Sequence, residues 1–444
     1  MNIYWKSTVT NGSFNSAGSW VQGVVPGAGD VAELTTSGVR ATVSSPDTVL
    51  GLNVVSGATV DITTSAFTAT EETATGANHG LIRVAGGTGG QLNFGGTFNN
   101  SGTISAFTGG TINVQTFDAT FKGGGRVSLQ DLVDDNTINV PASLTLTNVD
   151  NTIVGGAKVQ GLGTLINQTK GIVDANQTPT DPIDIKLPVK NSGLLESTLS
   201  GVLIIENNID NTGGGMIKAT DHGSTEITHA VIVGGTLTQV TSTSTIGLTD
   251  TTLDGTGTHP VTISGNYVTV DRLNLEGTIN NSGGTVLDGL FSNVLAAQAV
   301  GTSTSVTLQG KGFITLKHDA PIEGGGSPVT LVNVNNTIAG DGTIGGAGLK
   351  LNNKTGGLIE ANGSGSALAI DTGANAVVNA GTMSAAINST LFIGSKQGFA
   401  CRSSSRHRQS PLRVANHRRT KPQRPPALWR GLSLWRRQYR RNHP

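Results

Sequence analysis

The side chains able to do chemistry are few and thinly spread. DHGSTEITH, from Asp221 to His229, gathers the most titratable groups. Its two imidazoles, His222 and His229, are seven residues apart, so on one continuous strand they face opposite sides and form no metal pair. The other carboxylate groupings are Asp131 with Asp134 and Asp135, Glu226 beside Asp221, and Asp250 with Asp254. Cleavage of a polysaccharide needs carboxylates and a basic group on one surface, to hold Ca²⁺ or to act as acid and base. Before residue 401 the arginines are Arg40, Arg83, Arg126 and Arg272, far apart in the chain. Asp134 and Asp135 are adjacent and would point to opposite faces of a strand, so a solvated turn is the expected place for them. GGG at 123–125 and 324–326 lacks the Lys-Ser/Thr that completes a phosphate cradle. GAGD ending at Asp30 and AGDGTIGGAG around Asp341 are isolated pieces of a calcium nonapeptide, without tandem repetition. No catalytic, cofactor-binding or metal-binding residue is assigned, and no cofactor is expected.

What must position these residues follows from composition. Glycine is 63 of 444 residues, about twice its usual share, while charged residues are 13% against roughly 25% in ordinary domains. A helical enzyme is disfavoured by that balance. The apolar share of 36% suffices for a core, which argues against wholesale disorder. No apolar run is long enough for a transmembrane helix, and MNIYWKSTVTNGSF has no apolar region of the kind a cleavable signal needs. The single cysteine, Cys401, excludes a disulfide framework.

The chain repeats at two scales. Asn, then Gly, then an alternating apolar run recurs with anchors at Ile104, Ile172, Leu195, Ile217, Val286, Ile359 and Met383. The intervals are 68, 23, 22, 69, 73 and 24, so the wide ones are close to three times the narrow ones. On a longer scale TLTNVDNTIVG at Thr145 returns as TLVNVNNTIAG at Thr330, an offset of 185 that reads as eight units and a block duplicated in phase. Each unit lacks a helical period and holds short alternating stretches punctuated by Gly, Asn, Asp and Ser, which are strands and turns. Three short strands and three turns use up the unit. The predicted fold is therefore all-β, a right-handed parallel β-helix (β-solenoid) of about 23 residues per coil and roughly 15–16 coils, in which stacked Asn can form amide ladders. An array of β-sandwiches, with turns about 8–12 residues apart, is the competing architecture. Five phenylalanines, Phe94, Phe98, Phe107, Phe117 and Phe121, are expected to stack inside, and TSTSTIGLTDTT after Val240 to form a polar outer face.

Residues 1–37 differ from the repeats and are expected to cap the first coil, ahead of a β-helix over 38–395. Trp5, a Gly/Ser-containing spacer, Trp20 and GVVPGAGD, followed by Gly/Asn/Thr-rich coils with NxGxI motifs, resemble the repetitive β-helix region of large bacterial adhesin-like and autotransporter-passenger-like surface proteins. The resemblance covers about residues 1–395. It implies an extracellular or cell-surface location and a non-enzymatic structural or adhesion-type role, as a fragment of a larger protein, with host, matrix or carbohydrate partners. A β-helix polysaccharide lyase or glycoside hydrolase is the alternative.

Formal net charge is zero, yet it is the sum of two unlike parts. From Cys401 on there are 12 Arg, 1 Lys and no acid, leaving 16 basic against 29 acidic groups before it. Residues 396–444 thus read as a disordered basic tail, either an arm for polyanions or the product of a frameshift. The genetic code favours the second. Gly, Ala and Thr codons read one base early after a C become CGG, CGC and CAC, which encode Arg, Arg and His; after a T, Gly becomes Trp. With the tail set aside the body is acidic, no nucleic acid is expected to bind it, and an uncapped last coil is expected to self-associate.

Overall fold

The computed structural model describes residues 1–394 other than 71–75, 131–135, 266–267, 289–293, 302, 347, 364 and 376, together with Arg413–Val414. Asp131, Asp134 and Asp135, and all of the tail but Arg413–Val414, lie outside the described residues. Those two residues pair in parallel with Phe392 and Ile393.

Strands of two to twelve residues run in parallel ladders on three faces. Face I begins at Asn11–Ser13 and Arg40–Val43 and continues through Thr59–Ile62, Leu81–Ala85 and Thr103–Phe107 to Thr236–Gln239 and Val261–Gly265. Face II passes through Ala157–Gly161, Ile183–Ile185, Val202–Ile205, Ser224–Thr228 and Thr245–Thr249. Face III passes through Thr145–Asn148, Thr164–Asn167, Val189–Asn191, Ile209–Asp210, Val231–Val233 and Thr251–Gly255. The chain visits I, II and III in turn, so each strand meets its counterpart one turn earlier and later. The result is an all-β parallel β-solenoid of about 15 turns and about 22 residues per turn. At about 4.8 Å per turn the rod is about 70 Å long.

Alternation within each strand sends every second side chain inward, and the inward residues stack into columns. On face I one column runs Val60, Ile82, Ile104, Val127, Ile153, Val173, Leu195, Ile217, Leu237 and Ile263, all buried. Two expected anchors are off by one residue. Ile172 and Val286 are half-buried on the outside, and their neighbours Val173 and Leu287 fill the interior. A one-residue misalignment of a motif moves its anchor to the opposite face. At the N-terminal end Trp5, Phe14 and Trp20 are buried with their rings edge to face, at centroid distances of 5.0 Å (Trp5–Trp20) and 4.8 Å (Phe14–Trp20).

Buried asparagines line the corner between faces III and I. Asn78 donates to Asn100 at 2.8 Å and Asn100 to Asn151 at 2.8 Å. Asn148 donates to Asn167 at 3.0 Å, Asn167 to Asn191 at 2.9 Å, and Asn191 to Asn211 at 2.9 Å. These amides also cap main-chain groups that the tight corner leaves without a strand partner, as when the Gly193 N–H donates to the Asn191 side chain at 3.1 Å.

The second asparagine ladder sits on a different corner. Asn333 donates to Asn353 at 2.9 Å and Asn353 to Asn379 at 2.8 Å, but these residues close strands of face I and stand between faces I and II. TFNNSG from Thr97, which holds Asn100, returns as TINNSG from Thr278, and its Asn281 likewise ends a face I strand. From Thr145–Asn148 on face III the rod makes eight turns back to face III and then one further strand before reaching Val329–Asn333 on face I. The duplicated block is therefore not in phase. Its 185-residue offset spans eight and one third turns, about 22 residues each, and the second copy is rotated by one face.

Asn191 tests the ladder. Replacing it with Ala leaves the Asn211 side-chain carbonyl without its donor, while the Asn167 amide and the Gly193 N–H fall back on main-chain carbonyls, at an expected cost of about 1–3 kcal/mol. Urea denaturation of the Asn191→Ala variant should show an earlier midpoint. An unchanged midpoint would mean the ladder adds nothing to stability.

Candidate functional site

The register distributes the expected chemistry over the whole rod. Asp221 and His222 occupy the turn between faces I and II with left-handed backbone, φ 48° and 69°, and both are exposed. Glu226 points outward from the middle of Ser224–Thr228 on face II. His229 lies past the end of that strand at the next corner, so the two imidazoles flank one strand from separate turns. At the corner between faces II and III, Asp250 stands 3.6 Å from His229 and 3.9 Å from Arg272, all three well exposed. Asp254 faces outward on face III and accepts the Thr256 N–H at 2.9 Å. Asp30 holds the N-terminal ammonium at 2.9 Å and the Gly27 N–H at 3.0 Å, and these bonds keep its carboxyl below the usual range.

The phenylalanines divide. Phe94, Phe98 and Phe121 are buried, with Phe94 and Phe121 stacked at 4.6 Å. Phe107 and Phe117 lie outside, contrary to a wholly internal stack, because they fall on outward positions of their strands. Phe107 carries the Arg83 guanidinium 4.8 Å above its ring. Arg83 and Arg40 both pair with the buried carboxylate of Asp61, which anchors charge at the N-terminal end of face I.

Stacking also creates groupings that sequence separation hides. On face I, Asp174, Glu196 and Lys218 are successive members of one outward column. Lys218 pairs with Glu196 at 2.9 Å, while Thr198 donates to Asp174 at 2.8 Å. Burial, and then the neighbouring Glu196 charge, push the Asp174 carboxyl up despite the Thr198 hydrogen bond and the nearby Arg126 and Lys218. On face III a second column runs Lys190, Asp210, Val233, Asp254 and Glu276. Here Glu276 is pushed up, first by burial and then by Asp254 one turn below. Asp210 is held down by the Thr212 hydroxyl and N–H. Below Asp254, a shallow groove of about 300 Å³ has Pro188, Val231 and Val233 along its floor and Lys190, Asn208 and Asp210 at its edge.

Sequence reasoning named Asp254 but missed Glu276, and it missed Asp174 and Glu196 altogether. Among the described residues no three His, Cys, Asp or Glu converge to hold a metal ion, and no helix is long and apolar enough to cross a membrane. What the arrangement offers chemically is flat polar surface with local carboxylate pairs. No protein-family model matches the chain, and no curated protein does either.

Asp174 gives a pH signature. Its folded carboxyl binds a proton more tightly than the unfolded chain, so its contribution to stability falls as pH rises from the ordinary carboxylate value through the raised one, and stays low above it. Asp174→Asn keeps an acceptor for Thr198 and removes the charge. The variant should melt higher than the parent at pH 7 and level with it at pH 3, read by circular dichroism. A lower melt at pH 7 would show the carboxylate to be stabilising.

Proposed function

We propose that the chain is a non-enzymatic structural or adhesion-type module of a surface or secreted protein, a rod that holds polar faces toward carbohydrate or matrix partners. The observation that carries this reading is the distribution of its acids. Asp221, Glu226, Asp250 and Asp254 fall on a corner, a face, another corner and another face of the rod. A solenoid built this way presents long, repeated, flat surfaces, and its rigidity comes from turn-to-turn hydrogen bonds that need no bound ligand. The tryptophan-containing N-terminal segment and the NxGxI coils add the resemblance to adhesin-like and autotransporter-passenger-like proteins, which supports an extracellular setting for the larger protein of which this would be a part.

One observation favours a second reading, a β-helix polysaccharide hydrolase. Asp254 and Glu276 are in register on adjacent turns, and their environments push the Glu276 proton affinity up, the pattern of an acid beside an ionised partner. Reducing-end release from neutral and acidic polysaccharides separates the two. The module reading expects the purified chain to release no more than Glu276→Gln, while binding to glycan- or matrix-coated surfaces is retained in both. Release that is lost in Glu276→Gln, and in Asp254→Asn, would transfer the assignment to the hydrolase.

A further inference from the structure

Gly247 has no explanation inside the fold. It sits in the centre of Thr245–Thr249, a strand on face II, where glycine weakens pairing. Its backbone is not left-handed, unlike that of turn glycines such as Gly124 and Gly257. Nor is the position crowded, since a Cβ added to Gly247 would meet nothing within 4 Å. Other strand glycines are different. A Cβ at Gly95 would strike the Gln115 carbonyl at 2.4 Å, and one at Gly255 the Thr278 carbonyl at 2.0 Å. At Gly247 the space that a side chain would occupy opens outward, to whatever approaches the face.

The surroundings define what could approach. Register places Ser224 against Thr245, Glu226 against Gly247, and Thr228 against Thr249. These six residues line a notch of about 310 Å³, at the small end of ligand-site volumes. Ser224 and Thr245 hydroxyls are 2.9 Å apart. Its rim therefore offers four hydroxyls that donate or accept, one exposed carboxylate that only accepts, and bare backbone as the floor. A carboxylate repels anions and takes paired O–H donors well. Vicinal hydroxyls of a sugar ring supply such donors, and a ring lying on Gly247 would reach the flanking hydroxyls with its remaining oxygens.

We propose that the Gly247 notch on face II is a binding site for a neutral saccharide, with Glu226 accepting from adjacent ring hydroxyls and Ser224, Thr228, Thr245 and Thr249 completing the contacts. The inference rests on the module reading and gives it a specific site. Immobilised neutral glucan, mannan and galactan, with polygalacturonate as the anionic comparison, provide the probes. The full chain should be retained on at least one neutral glycan and released by the soluble form of it. Gly247→Val, which fills the notch with a strand-favouring side chain, and Glu226→Gln should each weaken retention at least tenfold, with Gly247→Val melting no lower than the parent. Retention on polygalacturonate alone, or on no glycan, overturns the proposal. Retention unchanged in both variants also overturns it while leaving the module reading standing, because the rod would then bind glycan elsewhere. A chain that binds neither glycans nor matrix-coated surfaces would sink both.

Discussion

Everything in this rod depends on one constraint: each turn must lay its backbone on the turn below, at about 4.8 Å, in register on three faces at once. No turn can bury its inward side chains alone, and strand hydrogen bonds are satisfied only by a neighbour of matching length. From this follow the apolar columns such as Val60 to Ile263 and the amide ladder from Asn78 to Asn211. Outward positions carry no such obligation. They are where acids, hydroxyls and the unexplained Gly247 are found, and so where function has to be sought.

The constraint fixes position within a turn but not which corner a motif occupies. Asn-x-Gly closes the corner between faces III and I in the first block and the corner between I and II in the second. Both corners need the same thing, an amide that bonds its counterpart one turn away and caps tight main chain. That equivalence lets a duplicated segment be read in one strand later without breaking the stack. Its consequence for a surface module is geometric, because outward residues repeated in the second block face about a third of a turn away from their originals. Repetition in this chain therefore spreads similar surface around the rod instead of extending it along one side.

Much of the fold was legible in the sequence, for physical reasons. Gly and Asn mark turns, and Ile, Val and Leu between them alternate as strands do, so the all-β coil and its short repeat could be read directly. Phase could not. A motif reports that a corner is present, without saying which, and Ile172 and Val286 show how one residue of misalignment exchanges inside for outside. Contacts across turns were less legible still, because turn length varies. Met216 pairs with Thr236, and Thr236 in turn with Thr262, so the second of these two turns is the longer one. Glu276 over Asp254 and Glu196 over Asp174 are each one average turn apart, but without the phase nothing in the sequence showed that they share an outward column. Gly247 was hidden for another reason, since one glycine among 63 becomes unusual only once its φ and surroundings are known.

The rotated second block is tested most directly by cross-linking outward residues on adjacent turns. In-register partners lie close enough for a disulfide, and the chain's one cysteine, Cys401, can be replaced by Ser to clear the background. In the rotated arrangement Asn280 lies beside Thr262 on face I, so the pair Thr262→Cys with Asn280→Cys should oxidise readily, and Asp254→Cys with Asn280→Cys should not, because Asp254 faces Glu276. An in-phase duplication would put Asn281 at the corner beside Gly255 and so Asn280 on face III, above Asp254, and the opposite pattern of cross-links would contradict the account.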